Sequence, residues 1–515
     1  MLPFHGKFVF CELFTIFARY TRARRKKAMG TLQKLAKQTA IYGISTILGR
    51  FLSYLLTPFY TRIFGVETYG IITDVYALIP FALVVLILGM ESSFFRFCTK
   101  AQEQGGDVES SKRRIFATMW GVTTLAAAIF FALVALFAGE CSAWMGEVYA
   151  AHPLYVVTVA AIVFFDVASA IPFARLRQSG QASKYVALKL ANIIMQVGFA
   201  VGFWAIGLFD TEFGVGWAFV ANLIASVVTT FMVALSGKTM PKIEWVLLAP
   251  IFAYSLPLLL SSVAGTAGEF LDRQLIKYLI DDGAMAQLGI YGAITKIAVV
   301  MTLFTQMYRL AAEPFFLSSF RKEEFIEANA AAMKYYIIAS MAIFLGIALF
   351  RDIFALIVGS KFREGIFILP VVLGANVLSG VWLNLSFWYK REEKTKYALW
   401  VTLSGLVASV VAGIALIPKW GYYGAAWSRF IAEVVMVAVS AVMNRLCFPT
   451  PYQYGRIGEY IAVALALFYL AEVVEVGNIV ARYGLNAAIF GAYILYVVRR
   501  EKIDVVALVK AILRR

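Results

Sequence analysis

Charge is scarce in this chain, and histidine is nearly absent. Of 515 residues, 15% are charged and 2 are His, whereas soluble domains carry about 25% charged residues. That deficit excludes an ordinary water-soluble enzyme and a disordered chain. His5 and His152 fall in a terminal arm and a loop, so no histidine metal centre or catalytic triad can assemble. Cysteine is equally thin. Cys11, Cys98, Cys141 and Cys447 lie far apart without a CxxC pair, which excludes a zinc ribbon and a disulfide framework. A phosphate loop is missing too: Gly237-Lys238-Thr239 has the right ending, but Met232 stands where GxxxxGK[ST] needs its first glycine. Nor is there a secretory signal, because the short apolar stretch from Phe8 to Phe17 is followed, not preceded, by the basic run Arg19–Lys27. Met29 opens a segment that reads as a natural start. Residues 1–28 are therefore either an over-extended start or an interfacial amphipathic arm.

What the chain has in abundance is apolar surface: 61% of its residues are hydrophobic and its mean hydropathy is +0.77. Apolar windows of about 20 residues, the length that crosses a bilayer, recur fourteen times. They lie near 39–62, 69–95, 114–138, 151–174, 186–208, 213–236, 247–270, 286–311, 331–350, 364–388, 397–417, 421–443, 457–474 and 478–498. Open strands in lipid would leave backbone groups unpaired, and barrel strands would alternate, so these runs are expected to be helices. The expected fold is all-α: a polytopic membrane protein with fourteen transmembrane helices.

The charge surplus of +16, from 47 Lys+Arg against 31 Asp+Glu, is explained by orientation and not by nucleic acid. With a cytoplasmic N-terminus, 36 cations fall in the N-terminal arm, the even-numbered connections and the tail. Only 8 fall in the odd-numbered connections, and 3 lie inside spans. The positive-inside rule then places both termini in the cytoplasm.

The chain also repeats itself. Arg175-Leu-Arg-Gln…Ala182-Ser-Lys184-Tyr185 enters span five, and Tyr389-Lys-Arg391…Lys394-Thr-Lys396-Tyr397 enters span eleven. Gly214-Val-Gly216-Trp217 opens span six as Gly421-Tyr-Tyr-Gly424…Trp427 opens span twelve. Tyr69-Gly70-Ile-Ile-Thr73 opens span two as Leu288-Gly289-Ile-Tyr-Gly292 opens span eight. Five segments are expected: a basic arm over 1–38, an N-lobe over 39–240, a C-lobe over 245–450, two appended helices over 455–500, and a cytoplasmic amphipathic tail over 501–515. Duplicated bundles bind substrate near the midplane, between their halves.

Two six-helix lobes with two extra spans resemble the multidrug/oligosaccharidyl-lipid/polysaccharide exporter superfamily. The opening Leu35-Ala-Lys37-Gln38-Thr-Ala-Ile-Tyr42-Gly43…Gly49-Arg50-Phe51…Thr57-Pro58-Phe-Tyr-Thr61-Arg62…Gly65-Val-Glu67-Thr-Tyr69-Gly70 resembles its polysaccharide-transporter branch, the lipid-linked oligosaccharide (O-antigen-type) flippases of bacteria. The resemblance implies a multi-pass protein of the bacterial inner membrane, not an enzyme. It would flip an undecaprenyl-pyrophosphate-linked oligosaccharide outward for surface polysaccharide synthesis, beside polymerase or chain-length machinery. A cation-coupled multidrug exporter and a lipid II flippase are the alternatives. No cofactor is expected beyond a coupling H⁺ or Na⁺.

A cation at the centre of a spanning helix costs about 2.5–3.5 kcal/mol on insertion scales and calls for a cavity or a partner. Arg50 lies halfway along span one, at the edge of a stripe of Tyr42, Thr46, Gly49, Ser53 and Thr57; its partner alternative is Asp74. In span seven, Glu269 and Arg273 share a stripe with Ser255, Ser262 and Thr266, four residues apart in the favourable order, with Asp272 beside them. Lys296 lies deep in span eight, and Arg429 and Glu433 form a second i,i+4 pair in span twelve. Arg50, Arg273, Lys296 and Arg429 are the candidates for an anionic headgroup, by guanidinium forks and a mobile ammonium. Asp74, Asp166, Glu269 and Glu433 are candidates for ion coupling or for counter-ions. Asn192, Gln196, Asn222, Asn376 and Asn384 offer polar contacts to sugars or, more commonly, between helices.

Overall fold

The structure, a computed structural model, describes residues 54, 56–105, 107–235, 239–317, 322–392, 394, 396–474 and 476–502. The basic arm, most of the first expected span including Arg50, and residues 503–515 of the tail lie outside these. Among the described residues all regular structure is helical.

Helix α1 (Leu56–Ile63) is followed by α2 (Val66–Ile87) and α3 (Met90–Gln104), separated where Leu88 and Gly89 take left-handed backbone angles. Helix α4 (Val108–Leu136) starts at Asp107, whose carboxylate accepts from the Ser110 N–H at 3.1 Å. Two short helices, α5 (Ala138–Met145) and α6 (Glu147–Ala151), lead to α7 (Pro153–Gln178), where Pro153 occupies a first turn that needs no N–H. Then come α8 (Ala182–Ala205), α9 (Gly216–Leu235) and α10 (Trp245–Leu279), which at 35 residues outruns its expected span. Helices α11 (Ala284–Ile297) and α12 (Val299–Leu317) meet at a bend of 49°. The rest are α13 (Lys322–Leu349), α14 (Arg351–Ala355), α15 (Leu369–Leu385), α16 (Phe387–Arg391), α17 (Lys396–Trp420), α18 (Tyr422–Cys447), α19 (Tyr454–Val473) and α20 (Ile479–Arg500).

The protein is a polytopic membrane protein. Eleven of the described helices are long and apolar enough to cross a bilayer, or twelve if the bent pair counts as one span. The expected fourteen is not reached among the described residues, because the first span lies largely outside them and α19 falls short of that measure. Exposed aliphatic stripes at helical spacing, such as Leu125, Ile129 and Leu133 on α4, suit contact with acyl chains. Pro80, Pro172 and Pro257 lie within the continuous α2, α7 and α10. The 49° bend falls at Ala298, where no proline stands.

Helices α2, α4, α7, α8 and α9 pack on one another, as do α10, α11, α15, α17 and α18, while α19 and α20 lie against α13. The two sets meet where α2 crosses α10 and α11. Long-range polar contacts join helix ends of like kind. Connections rich in cations meet each other, as in Arg114–Glu244, and Arg177 reaches Glu91 at the start of α3. The cation-poor ends meet separately, as where Gln287 accepts from the Tyr422 N–H.

Glycine sets how closely the sets approach. A Cβ on Gly70 would lie 2.0 Å from the Met285 carbonyl oxygen, and one on Gly289 would lie 2.0 Å from that of Val66. By contrast, added Cβ atoms on Gly198 and Gly202, a GxxxG pair, would meet nothing within 4 Å. Backbone approach, and not the motif itself, decides. Gly289→Leu should therefore lower unfolding free energy by about 1–3 kcal/mol, while Gly198→Leu should stay within about 0.5 kcal/mol. Denaturant titration of the purified variants measures both.

The appended pair is fixed by a buried charge. Lys334 on α13 reaches Glu501 Oε2 at 2.5 Å, and the Tyr460 hydroxyl donates to Oε1 at 2.6 Å. Burial pushes the Glu501 carboxyl up, but Lys334, Tyr460 and Arg456 outweigh it and hold it below the ordinary 4.5. A depressed folded value means stability that is present above the unfolded value and lost as pH falls through the folded one. Unfolding temperature should thus drop as pH falls below 4.5, and Glu501→Gln should flatten that part of the profile.

Candidate functional site

The seam between the two helix sets holds a buried ion pair. Asp74, on α2 one turn beyond Gly70, is 1% exposed. Lys277 of α10 reaches its Oδ2 at 2.6 Å, Gln274 donates to Oδ1 at 2.6 Å, and the Tyr149 hydroxyl of α6 donates to Oδ2 at 2.7 Å. The Lys277 ammonium also lies 4.7 Å from the centre of the Tyr149 ring. A bare carboxylate here would be prohibitively costly; one with both oxygens filled by three donors, one of them cationic, is tolerated. Asp74 is thus paired, and its cation comes from the other helix set.

Further contacts close the same end. The Arg62 guanidinium donates to the carbonyls of Leu356 at 2.8 Å and Ile357 at 3.3 Å. The Gly359 N–H donates to Thr61 Oγ1 at 3.0 Å, and the rings of Tyr69 and Phe362 meet edge to face at 5.3 Å. Every one of these joins the first set, or α1 beside it, to the second.

Deeper in the second set, Asp272 organises a node. Ser409 donates to its Oδ1 at 3.1 Å, Tyr291 donates to Oδ2 at 3.5 Å, and Arg429 stands 4.0 Å from Oδ2. Arg429 also donates to Asn376 Oδ1 at 3.3 Å, and Asn376 donates to the Ala298 carbonyl at the α11–α12 bend. The node therefore ties together α10, α11, α15, α17 and α18. Residue Glu433, read from sequence as the partner of Arg429, is half-buried one turn further along α18.

The remaining candidates are spread out. Lys296 is half-buried just before the bend, with its ammonium 5.0 Å from the centre of the Tyr54 ring. Arg273 is one turn from Lys277 on α10, within electrostatic reach of Tyr69 and Tyr291. Glu269 lies one turn before it, and its side chain is not among those described. Asp166 is elsewhere, inside the first set, within electrostatic reach of Ser226 and of Lys189 on α8. Arg50 lies outside the described residues. The structure thus brings Arg273 close to the Asp74–Lys277 pair and Arg429 close to Asp272, and it leaves Asp166 apart. The amides are engaged between helices: Asn192 with Thr229, Gln196 with Tyr76, and Asn384 with Tyr308.

Sequence reasoning missed Lys277, Gln274, Tyr149 and Lys189 altogether. The available signal was that Lys277 continues the Glu269–Arg273 stripe by one more turn.

Comparison with known proteins follows from this architecture. Residues 35–320 match the family described as polysaccharide biosynthesis protein. The chain belongs to that family. Over 457 residues this family member is 20% identical to the probable low-salt glycan biosynthesis flippase Agl15 of Haloferax volcanii, covering 87% of this chain and 92% of that one. Its fold is similar to that of the lipid II flippase MurJ in an inward closed conformation, with a TM-score of 0.70 and 14% identity, covering 90% of this chain and 100% of that one. It is also similar to an inward-facing MATE family multidrug transporter of the MOP superfamily, with a TM-score of 0.64 and 15% identity, covering 79% and 94%. At such identities the structural likeness is one of fold.

In this member of the polysaccharide biosynthesis family, Lys277→Met leaves the Asp74 carboxylate buried without its cation. That should cost about 3–5 kcal/mol, while Asp74→Leu with Lys277→Met recovers most of it. Thermal unfolding of the two variants decides; equal losses would show that the pair contributes no coupling.

Proposed function

We propose that the protein is a flippase that carries an undecaprenyl-pyrophosphate-linked oligosaccharide from the cytoplasmic to the outer leaflet of a bacterial plasma membrane. The product feeds surface polysaccharide synthesis, as O-antigen, capsule or exopolysaccharide, by a polymerase. The observation that carries this reading is the seam. It is shut at its cation-poor end by Asp74, Lys277 and Arg62, and it has further cations behind that closure. At about 1.5 Å per residue, Arg429 lies about 10 Å and Lys296 about 18 Å along their helices from that end. Lys296 is then near the middle of a hydrocarbon core about 30 Å thick.

With both termini cytoplasmic, the closed end faces outward and the opposite end receives substrate. The lobes, 39–240 and 245–450, rock about the α2–α11 crossing to expose the site to the other side. A pyrophosphate brings about two negative charges, which Arg50, Arg273, Lys296 and Arg429 stabilise by forked and point-charge contacts. The prenyl tail stays in lipid. Asp166, Glu269 and Glu433 are the acids through which a coupling H⁺ or Na⁺ would act, since Asp74 is committed to Lys277.

Deleting the gene should make a lipid-linked sugar accumulate in the cytoplasmic leaflet, and its identity separates this substrate from lipid II. Altered drug efflux with no such accumulation would favour the multidrug exporter. Re-expressing Arg50→Ala with Lys296→Ala should yield a folded protein with polymer export reduced to background. Full export by that variant would sink the cation assignment.

A further inference from the structure

A cleft of about 420 Å³ opens away from the seam, at the cation-poor end, between the α13–α14 turn and the α19–α20 turn. Its size falls within the range of about 300–1,000 Å³ usual for small-molecule sites. Four charged side chains line it, two from each wall: Arg351 and Asp352 on one, Glu472 and Arg482 on the other. They pair crosswise. Arg351 Nη2 lies 3.0 Å from Glu472 Oε2, and Arg482 contacts Asp352. All four side chains are between 25% and 44% exposed. Ion pairs this open to solvent hold their partners weakly and can exchange them.

The flanks are apolar. Ile353 and Leu356 beside one wall, and Val473 and Ile479 beside the other, are exposed. In a bilayer such faces meet acyl chains. A ligand of the cleft that belongs to the membrane would thus place a charged head between the walls and its tails along these residues.

We propose that the cleft binds the headgroup of a zwitterionic phospholipid bearing a primary ammonium. Its phosphate lies against Arg351 and Arg482, and its ammonium lies against Asp352 and Glu472. The charge count selects this head. The walls are net neutral, two cations against two anions, so a zwitterionic head offers each sign a partner and keeps the cleft neutral, whereas a purely anionic head draws the arginines from the carboxylates and leaves those without a cation. A primary ammonium also donates hydrogen bonds to carboxylates. A trimethylated one cannot, and it would call for an aromatic cage, while the described residues that line this cleft include no aromatic ring and the adjacent Phe350 and Tyr483 rings stack on each other.

The test is native mass spectrometry of the purified full chain titrated separately with phosphatidylethanolamine, phosphatidylcholine and phosphatidylglycerol. One phosphatidylethanolamine should be retained about ten-fold more tightly than either other lipid. Asp352→Asn with Glu472→Gln keeps both cations and should reverse the order in favour of phosphatidylglycerol. Arg351→Gln with Arg482→Gln should abolish the retained lipid; should that variant fail to fold, the acid variant decides alone. Equal retention of all three lipids by the wild type, or an unchanged order in the acid variant, would overturn the proposal and leave the four residues as an inter-helix clamp.

Discussion

Asp74 is buried, and the only way to keep a buried carboxylate charged is to bring it donors. Its donors come from α6 and α10, and Lys277 is 203 residues away in sequence. The pair therefore does more than neutralise a charge: it registers one helix set against the other. Arg62 on the Leu356 and Ile357 carbonyls, Gly359 on Thr61, and the close passage of α2 over α11 all depend on that register. Membrane helices gain little from hydrophobic attraction to one another, so polar pairs and backbone approach decide which faces meet.

The elements were legible in the sequence to a useful degree because lipid imposes a length and a polarity on every crossing segment. Each expected span from the second to the fourteenth has a helix where it was expected, although α10 outruns its span and α2–α3 and α11–α12 are interrupted. Span boundaries follow local composition, and local composition is all a single sequence displays. The family, too, was legible from the first-span residues, which lie inside the stretch that matches it.

Partner choice was not legible. Reading along one helix sets Arg429 beside Glu433, since those side chains share a face. In the structure Arg429 also reaches across to Asp272 and Asn376, and Asp74 takes Lys277 of the other helix set. The energies of local and distant pairs are similar, so only the packing of helices decides between them. The repeat shows the same limit from the other side. Tyr69-Gly70 and Leu288-Gly289 were visible as copies of one pattern, yet nothing in the pattern said that the copies press on each other.

That contact is unusual in what it lacks. Where Gly70 faces the Met285 carbonyl and Gly289 faces that of Val66, the surfaces in contact are largely main chain, with few rotamers to readjust. A joint built of rigid backbone does not yield gradually. It is seated or it is parted, and intermediate separations would lose the van der Waals contact without admitting a side chain or a water in its place. The crossing of α2 and α11 thus favours turning over separation: the two sets can pivot on it, whereas drawing them apart there would open an unfilled gap between main chains.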